Sequence, residues 1–372
     1  MTTAESNSGA RLPSSLFSTD QFPQRDQFDA WRASIGVIFD VSPPARPRRN
    51  IALRASIRAY NLGELIVAAT SFDAQCYSRD RRRIASDGLD HYLVQLYPRG
   101  GLVGSAHKKD LALRAGDLQI LDLSQPLMTH NESSATVSIV IPRDSLDDAI
   151  GWRANLHGLV LRREAVFGGL MGDYLSSVVR RAEILTTEEA PLVSRSLVEM
   201  IAGCFHPTAE NLARANSQIA AATIRRIKRF IVANLESPEL SVEAICGRFR
   251  ISRAYLYEIF APLDGVAKYI QDQRLIRAFR ELRASELRHL RIGNIALDLG
   301  FSSEAHFSRA FRRAFGQSPH EVRMTQDEPA SALSSDHFQG TGEGYETWIR
   351  KLRHEASTDA ANPTASTGRR PG

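Results

Sequence analysis

The sequence predicts a multidomain chain. A mainly-β barrel comes first, then a helical linker, then an all-α domain of two tandem helix-turn-helix units. Three observations carry that reading. A pattern of apolar positions near the C-terminus recurs at an offset of fifty residues. An earlier stretch breaks into short strand-like runs separated by turn residues, and a chain of 372 residues is too long for one ordinary domain. The expected boundaries are a disordered N-terminus at 1–23, the barrel at 24–143, the linker at 144–206, the helical domain at 219–324 and a mostly disordered tail at 325–372.

The opening MTTAESNSGARLPSS lacks the charged start and apolar run of a secretory signal. Phe28, Trp31, Ile35 and Ile38 follow helical spacing, and the proline-rich SPPARPRR after Val41 ends that helix. From Ser56 the pattern changes to short strands. They are LGELIVAAT from Leu62, DHYLVQLYPRGG from Asp90, DLQILDLSQP from Asp117 and TVSIVIP from Thr136, with Ala115-Gly116-Asp117 as a turn. Such a series closes into a small barrel or sandwich whose interior can hold one small molecule. Trp31, Tyr60, His91, Tyr92 and Tyr97 are candidates to line that interior, although alternation does not say which of them point inward. His91, His107 and His130 stand singly, without the paired histidine and carboxylate spacing of a metal site. No metal, no cofactor and no catalysis are therefore expected. The arginine-rich stretch Arg79 to Arg83 reads as a solvated loop, with attraction of an acidic molecule as the alternative.

The linker reads as helical. Val166, Leu170, Tyr174 and Val178 make one stripe, and Leu197, Met200, Ile201 and Cys204 another. Packing onto the barrel and pairing with a second copy explain these stripes equally well. Cys76, Cys204 and Cys246 are scattered, as neither a zinc pattern nor a disulfide framework would be, which suits a reducing compartment. No apolar run approaches the roughly eighteen residues that a membrane span needs.

The C-terminal repeat is the strongest signal. Val242, Ile245, Cys246, Phe249 and Ile251 fall fifty positions before Ile292, Ile295, Ala296, Leu299 and Phe301. Leu256 and Phe260 match Phe307 and Phe311 at fifty-one, so one residue is inserted after the turn. Ser252 in one copy, and Ser302 or Ser303 in the other, sit where an N-cap starts the second helix. Gly300 supplies a left-handed turn residue; Arg250 stands at that place in the first copy, at a cost of about 1 kcal/mol if the turn needs positive φ. Amphipathic spacing alone would equally describe two helical hairpins in a core. The opposite face argues otherwise. It leaves Arg253, Ala254, Tyr257 and Glu258 outward in the first copy, and Glu304, Ala305, His306, Ser308, Arg309, Arg312 and Arg313 in the second. Arginine and short polar side chains at a helix N-terminus and one turn later can reach base edges and phosphates. Between the copies, Val266 to Arg283 forms a helical rod about 27 Å long at 1.5 Å per residue. That suits two recognition helices near one DNA turn apart. Charge agrees: residues 219–324 hold 18 Lys and Arg against 11 Asp and Glu, a net of +7 where the whole chain carries +5.

The stretch from about Ile224 to Arg323 closely resembles the DNA-binding domain of bacterial AraC-type (AraC/XylS) transcription regulators. The residues that carry the resemblance are Ile295-Ala296, Gly300-Phe301, the run His306 to Phe311, Phe315-Gly316, Ser318-Pro319 and Arg323, with Arg274-Leu275 and Ala278 in the connecting helix. The resemblance implies base contacts from Ala254, Tyr257 and Glu258 in the first unit, and from Glu304, Ala305 and Arg309 in the second. Arg250 in place of the turn glycine and the acidic Glu258 depart from the family pattern. The strand order, with the Trp31 helix, His91-Tyr92, Gly100-Gly101 and Gly116-Asp117, resembles the cupin-like effector-binding domain that some members carry.

The resemblance implies a non-enzymatic, sequence-specific transcription regulator, activating more than repressing, that is cytoplasmic and nucleoid-associated and senses a small-molecule effector through its barrel. The implied partners are double-stranded DNA, that effector, RNA polymerase and a second copy of the chain, with no membrane. A constitutive regulator whose barrel only dimerises is the alternative, followed by a cupin-type enzyme fused to a DNA reader.

Overall fold

The computed structural model describes residues 9–44, 53–150, 156–205, 217–284, 287, 289–324, 339–340 and 344–358. In chain order the N-terminal half contains β1 (Ser14–Ser18), α1 (Gln27–Ile35), β2 (Asp40–Ser42), β3 (Ala55–Asn61), β4 (Ile66–Phe72), β5 (Gln75–Arg79) and α2 (Arg81–Asp87). It continues with β6 (Tyr92–Arg99), β7 (Leu102–Ala106), β8 (Lys109–Leu113), β9 (Leu118–Asp122), β10 (Leu127–Asn131) and β11 (Ser134–Ile141). Then come α3 (Arg143–Ile150), β12 (Leu159–Leu161), α4 (Val166–Arg181) and α5 (Ala190–Phe205). The remainder holds α6 (Ser217–Ala233), α7 (Val242–Phe249), α8 (Arg253–Phe260), α9 (Val266–Arg283), α10 (Ile292–Asp298), α11 (Glu304–Phe315), α12 (Pro319–Met324), β13 (Gln339–Gly340) and α13 (Tyr345–Thr358).

The strands form two antiparallel sheets that face each other. One is eight-stranded, in the order β12-β9-β6-β11-β4-β3-β1-β13, and the other five-stranded, in the order β2-β5-β10-β7-β8. Alternation along β6 shows how one strand serves two cores. Leu93 and Tyr97 point between the sheets, into a core with Phe17, Trp31, Ile57 and Phe72. Tyr92, Val94 and Leu96 point out of the barrel, into a second core closed by Met171, Leu175, Leu197 and Ile201 of α4 and α5. With both faces covered, β6 is buried along most of its length, which explains why it is apolar from Tyr92 to Tyr97 but for Gln95.

Several expectations need correction. Part of the expected disordered N-terminus, β1, pairs along its full length with β3, because its alternating Phe17 has a core to enter; residues 1–8 lie outside the described residues. The expected helical linker contains a strand, since β12 adds to the sheet edge at β9. The Val166–Val178 stripe splits: α4 buries Gly168, Met171, Leu175 and Val178 and leaves Val166 and Leu170 exposed, because the buried face follows spacing of three and four, not four alone. Met200 on α5 is likewise exposed. The expected mostly disordered tail contains β13, which pairs with β1, and α13, whose Tyr345, Trp348, Ile349 and Leu352 enter the core between the sheets. Their spacing of three, four and seven makes one helical face; residues 325–338, 341–343 and 359–372 lie outside the described residues.

Nor is Arg79 to Arg83 a solvated loop. Arg79 is fully buried and pairs bidentately with Asp87 at 2.8 and 3.0 Å, while also donating to the carbonyls of Leu123 and Ile38. Asp80 caps α2 by accepting from the Arg83 N–H at 2.8 Å, and Gly88 ends it in the left-handed region. This short helix is the main contact with the helical half, to which Lys108, in the turn after β7, adds an ion pair with Asp264 at 3.1 Å. Arg280 of α9 donates to the carbonyl of Ala85 at 2.8 Å, a group left unpaired at the end of α2. Arg283 donates to Ser86 Oγ at 2.8 Å, and Arg81 pairs with Asp272 at 3.6 Å.

The helical half packs around α9. Ile270, Leu275, Ala278, Phe279 and Leu282 of α9 are buried there with Ile245, Leu256, Phe260, Ile295, Phe307 and Phe311 from the repeated units.

Candidate nucleic-acid interface

Each unit of the repeat builds its second helix in the same way. In the first, Ser241 caps α7 by accepting from the Ala244 N–H, and Ser252 caps α8 by accepting from the Tyr255 N–H, both at 3.1 Å. In the second, Ser303 caps α11 by accepting from the His306 N–H at 3.2 Å, which settles the choice between Ser302 and Ser303. The caps fix where each helix begins and therefore which residues lie on its outer face.

The turns differ. Arg250 adopts φ 53°, the left-handed region expected of a glycine there, so this turn carries the strain that the sequence suggested. Gly300 has φ 71°, and a Cβ on it would stand 2.7 Å from the Arg274 guanidinium. Glycine is needed here for its conformation; the guanidinium is the end of a flexible side chain that a Cβ would push aside. Arg274 lies on α9 and donates through Nε to the carbonyl of Leu235 at 3.1 Å, and more weakly through Nη1 to that of Gly300 at 3.4 Å. One side chain thus braces the end of the first unit's opening segment against the turn of the second.

Of the candidate contact residues, Arg253, Ala254, Tyr257 and Glu258 on α8 are all exposed, as are Glu304, Ala305, His306, Arg309, Arg312 and Arg313 on α11; Ser308 is half-buried. Phe307, Phe311 and Phe315 take the opposite face inward. Arg253 is ion-paired to Glu243 at the start of α7. Sequence reasoning missed this pair, because a residue separation of ten becomes a contact only once the turn is made. An exposed pair of this kind is worth little and yields readily to a phosphate. Glu304 lies close against Gly293 on α10.

The candidate effector residues do not gather in one place. Trp31 and Tyr97 lie between the sheets, where Trp31 Nε1 donates to Gln75 at 2.8 Å and Tyr97 donates to Asn131 at 3.1 Å. Tyr60 and Tyr92 belong to the outer core, one step out of phase with the inward positions, and Tyr92 donates to Asp147 at 2.9 Å. His91 is buried just before β6. None of the five lines the cavity between the sheets. Its walls include Phe39, Ile57, Phe72 and Leu93, with the neutral polar groups of Thr70, Tyr77, Gln95, Thr136 and Ser138. Burial pushes the Tyr77 phenol well above its ordinary range, so this wall carries no charge. Gln95 and Ser138 were legible as inward positions only once the phase of β6 and β11 was known. No group of three or more His, Cys, Asp and Glu placed to hold a metal ion occurs among the described residues.

Two capped helices with polar, arginine-bearing outer faces, packed on one shared spacer, define a tandem helix-turn-helix nucleic-acid reader. Comparison with known proteins narrows that class. A helix-turn-helix domain family matches residues 245–325, and an AraC-binding-like domain family matches residues 30–206. The regulatory protein SoxS of Salmonella typhimurium is 32% identical over 102 residues, spanning 27% of this chain and 92% of that protein. The transcriptional activator NphR of a Rhodococcus species is 25% identical over 289 residues, 75% of this chain and 83% of that protein. The crystal structure of the AraC-like transcriptional activator CuxR covers 72% of this chain and 95% of its own, with 26% identity and a TM-score of 0.49. The chain belongs to the AraC-type family of DNA-binding transcription regulators, and these relatives are regulators, not enzymes.

Proposed function

We propose that the chain is a cytoplasmic, sequence-specific activator of transcription that reads its site with α8 and α11 and adjusts that reading when a small molecule enters the barrel. The observation that carries the proposal is the pair of capped helices with Arg253 on one and Arg309, Arg312 and Arg313 on the other, all exposed. In this reading Arg309 and Arg253 supply the principal contacts. Ala254, Tyr257, Glu258, Glu304, Ala305, His306 and Ser308 sort base edges, and Arg312 and Arg313 meet phosphates. The names of the relatives as activators favour activation, and with it RNA polymerase as a partner. The domain limits follow the boundaries read from sequence, with the barrel extended to take in β1, β12, β13 and α13.

The test is selection from random DNA by the full chain at fixed salt. Two enriched blocks about one helical turn apart are expected. Arg309→Ala should cost about 1–3 kcal/mol on the selected site and relax preference at one position. Binding without enrichment would reduce the proposal to general DNA association. Unchanged affinity and preference in the variant would remove α11 as a reader.

Self-association belongs to the same reading. Val166, Phe167 and Leu170 are 75%, 59% and 58% exposed on adjoining positions of α4, an apolar face that favours a second copy as its cover. Leu170→Asp is expected to convert a dimer to a monomer in sedimentation velocity while leaving the melting temperature nearly unchanged. An unaltered sedimentation profile would count against this face.

A further inference from the structure

The barrel has an occupant of its own. The face of α13 made by Tyr345, Trp348, Ile349 and Leu352 lies in the core between the two sheets, with Trp348 only 4% and Ile349 0% exposed. On the outer side Arg350 and Lys351 are exposed, so the helix is amphipathic and seated as a helix in a groove. With it in place, the space beside Tyr345 is a cavity of about 20 Å³, room for about one water. A drug-sized ligand needs a site of about 300 Å³ or more. Nothing of that size enters while the helix stays.

The seat is nevertheless separable from the fold. Besides its apolar face, the returning chain is anchored by the two-residue β13, paired at the edge of the sheet through Ser15–Gly340 and Leu16–Gln339. The sheets are complete without it, for β1 is already paired along its length with β3. What withdrawal would expose is a wall of apolar side chains interrupted by neutral hydrogen-bonding groups from Thr70, Tyr77, Gln95, Thr136 and Ser138. An ionised ligand group would find no counter-charge there.

We propose that α13 is a built-in competitor for the barrel's ligand site, and that a neutral, mainly apolar small molecule with one or two hydrogen-bonding groups takes the site by displacing it. This rests on the reading of the barrel as a sensor and assigns the site, the ligand class and the element that moves. Displacement is felt beyond the barrel. Glu346, on α13, lies within the electrostatic reach of Arg83 on α2. Arg83 also bonds Asp87 and Asp40, and α2 is the element that Arg280 and Arg283 of the DNA reader grip.

The test uses a neutral fluorescent probe, N-phenyl-1-naphthylamine, on the full chain, on full-length Trp348→Ala and on a chain ending at Gly344. Apparent affinity should rise roughly tenfold or more in both variants, because a larger fraction of molecules has the site open. A synthetic peptide of residues 345–358 should displace the probe from the shortened chain, and the same peptide carrying Trp348→Ala should not. Saturating probe should also speed tryptic cleavage after Arg350 and Lys351 in the full chain, which a probe that merely fills a void would not do. Equal probe affinity in all three chains overturns the proposal, as does unchanged cleavage on saturation. If the shortened chain loses its cooperative melt, Trp348→Ala and the cleavage rates decide alone. DNA selection by the same chains separates the two readings: lost selection strikes the regulator, and unmoved probe affinity strikes the helix.

Discussion

Phe311→Ala should unfold the DNA reader while leaving the barrel folded. Phe311 has no exposed surface and stands amid three other rings: 4.6 Å from Phe315, 5.3 Å from Phe307 and 6.1 Å from Phe279, with Phe279 and Phe315 themselves 4.9 Å apart. Phenylalanine to alanine in such a place costs about 3–5 kcal/mol, from lost burial and the cavity left behind. A small domain has about 5–15 kcal/mol in total, so much of its stability would go. Calorimetry should show the transition of the helical half shifted far down or absent, the barrel transition retained, and specific DNA binding lost. Arg313→Ala, on the exposed face of the same helix, should change stability by less than about 0.5 kcal/mol. Wild-type melting of Phe311→Ala would mean that this core does not hold the reader together.

The second large effect lies in the barrel and depends on pH. Asp122 is paired with the Arg143 guanidinium and accepts from the Ser124 hydroxyl at 2.6 Å, the Ser124 N–H at 2.9 Å and Gln125 at 3.1 Å. Burial alone would raise its pKa. Arg143 and these hydrogen bonds outweigh it and pull the carboxyl down from 3.8 to about 2. A carboxylate with a depressed folded-state pKa stabilises the fold above its unfolded pKa, and that contribution fades as pH falls from about 4 towards 2. His157 works in the same direction at higher pH. Its Nδ1 accepts from the Asp122 N–H at 3.1 Å, its Nε2 faces the Pro126 carbonyl at 3.0 Å, and burial lowers its pKa from 6.5. Held neutral in the fold, it begins to favour the unfolded chain once pH drops below about 6.5. Urea melts of the barrel should therefore weaken in two stages on acidification, and Asp122→Asn should shrink the lower stage to what Asp117, held down against its burial by two backbone N–H groups and Arg162, contributes. At neutral pH the same variant should still cost stability, because Arg143 loses its nearest counter-charge and keeps only the longer pair with Asp90 at 3.7 Å. A flat profile between pH 4 and 2 in the wild type would show that the pair does not act in this way.

What could be read from sequence follows from how local the forces are. The two units of the reader are set by caps, turns and spacing within some twenty residues, and the outward set on α8 and α11 emerged as expected. The barrel's class was legible from alternation, but its phase was not. Tyr92 and Leu93 are neighbours with comparable claims to the interior, and only the strands beside β6 decide that Leu93 has it. Arg79 illustrates a second limit. An arginine among arginines looks solvated until two distant carbonyls, of Ile38 and Leu123, converge on it with Asp87 at the far end of the next helix. The helix at Tyr345 shows a third. Tyr345, Trp348, Ile349 and Leu352 already spell one apolar face, yet what that face covers lies some three hundred residues away, beyond any window of local pattern.

The chain sets out from the barrel at β1 and returns to it at β13, the very next strand of the same sheet. The DNA reader is therefore an insertion suspended between two moorings, not a pendant on a single stalk. A body hung from one point sweeps a sphere, whereas one hung from two swings about the line that joins them. Here the grip of α9 on α2 adds a third point of attachment, so the recognition helices are held at one attitude to the barrel. Letting go of the second mooring would leave that grip to hold the attitude alone, without changing a single contact residue.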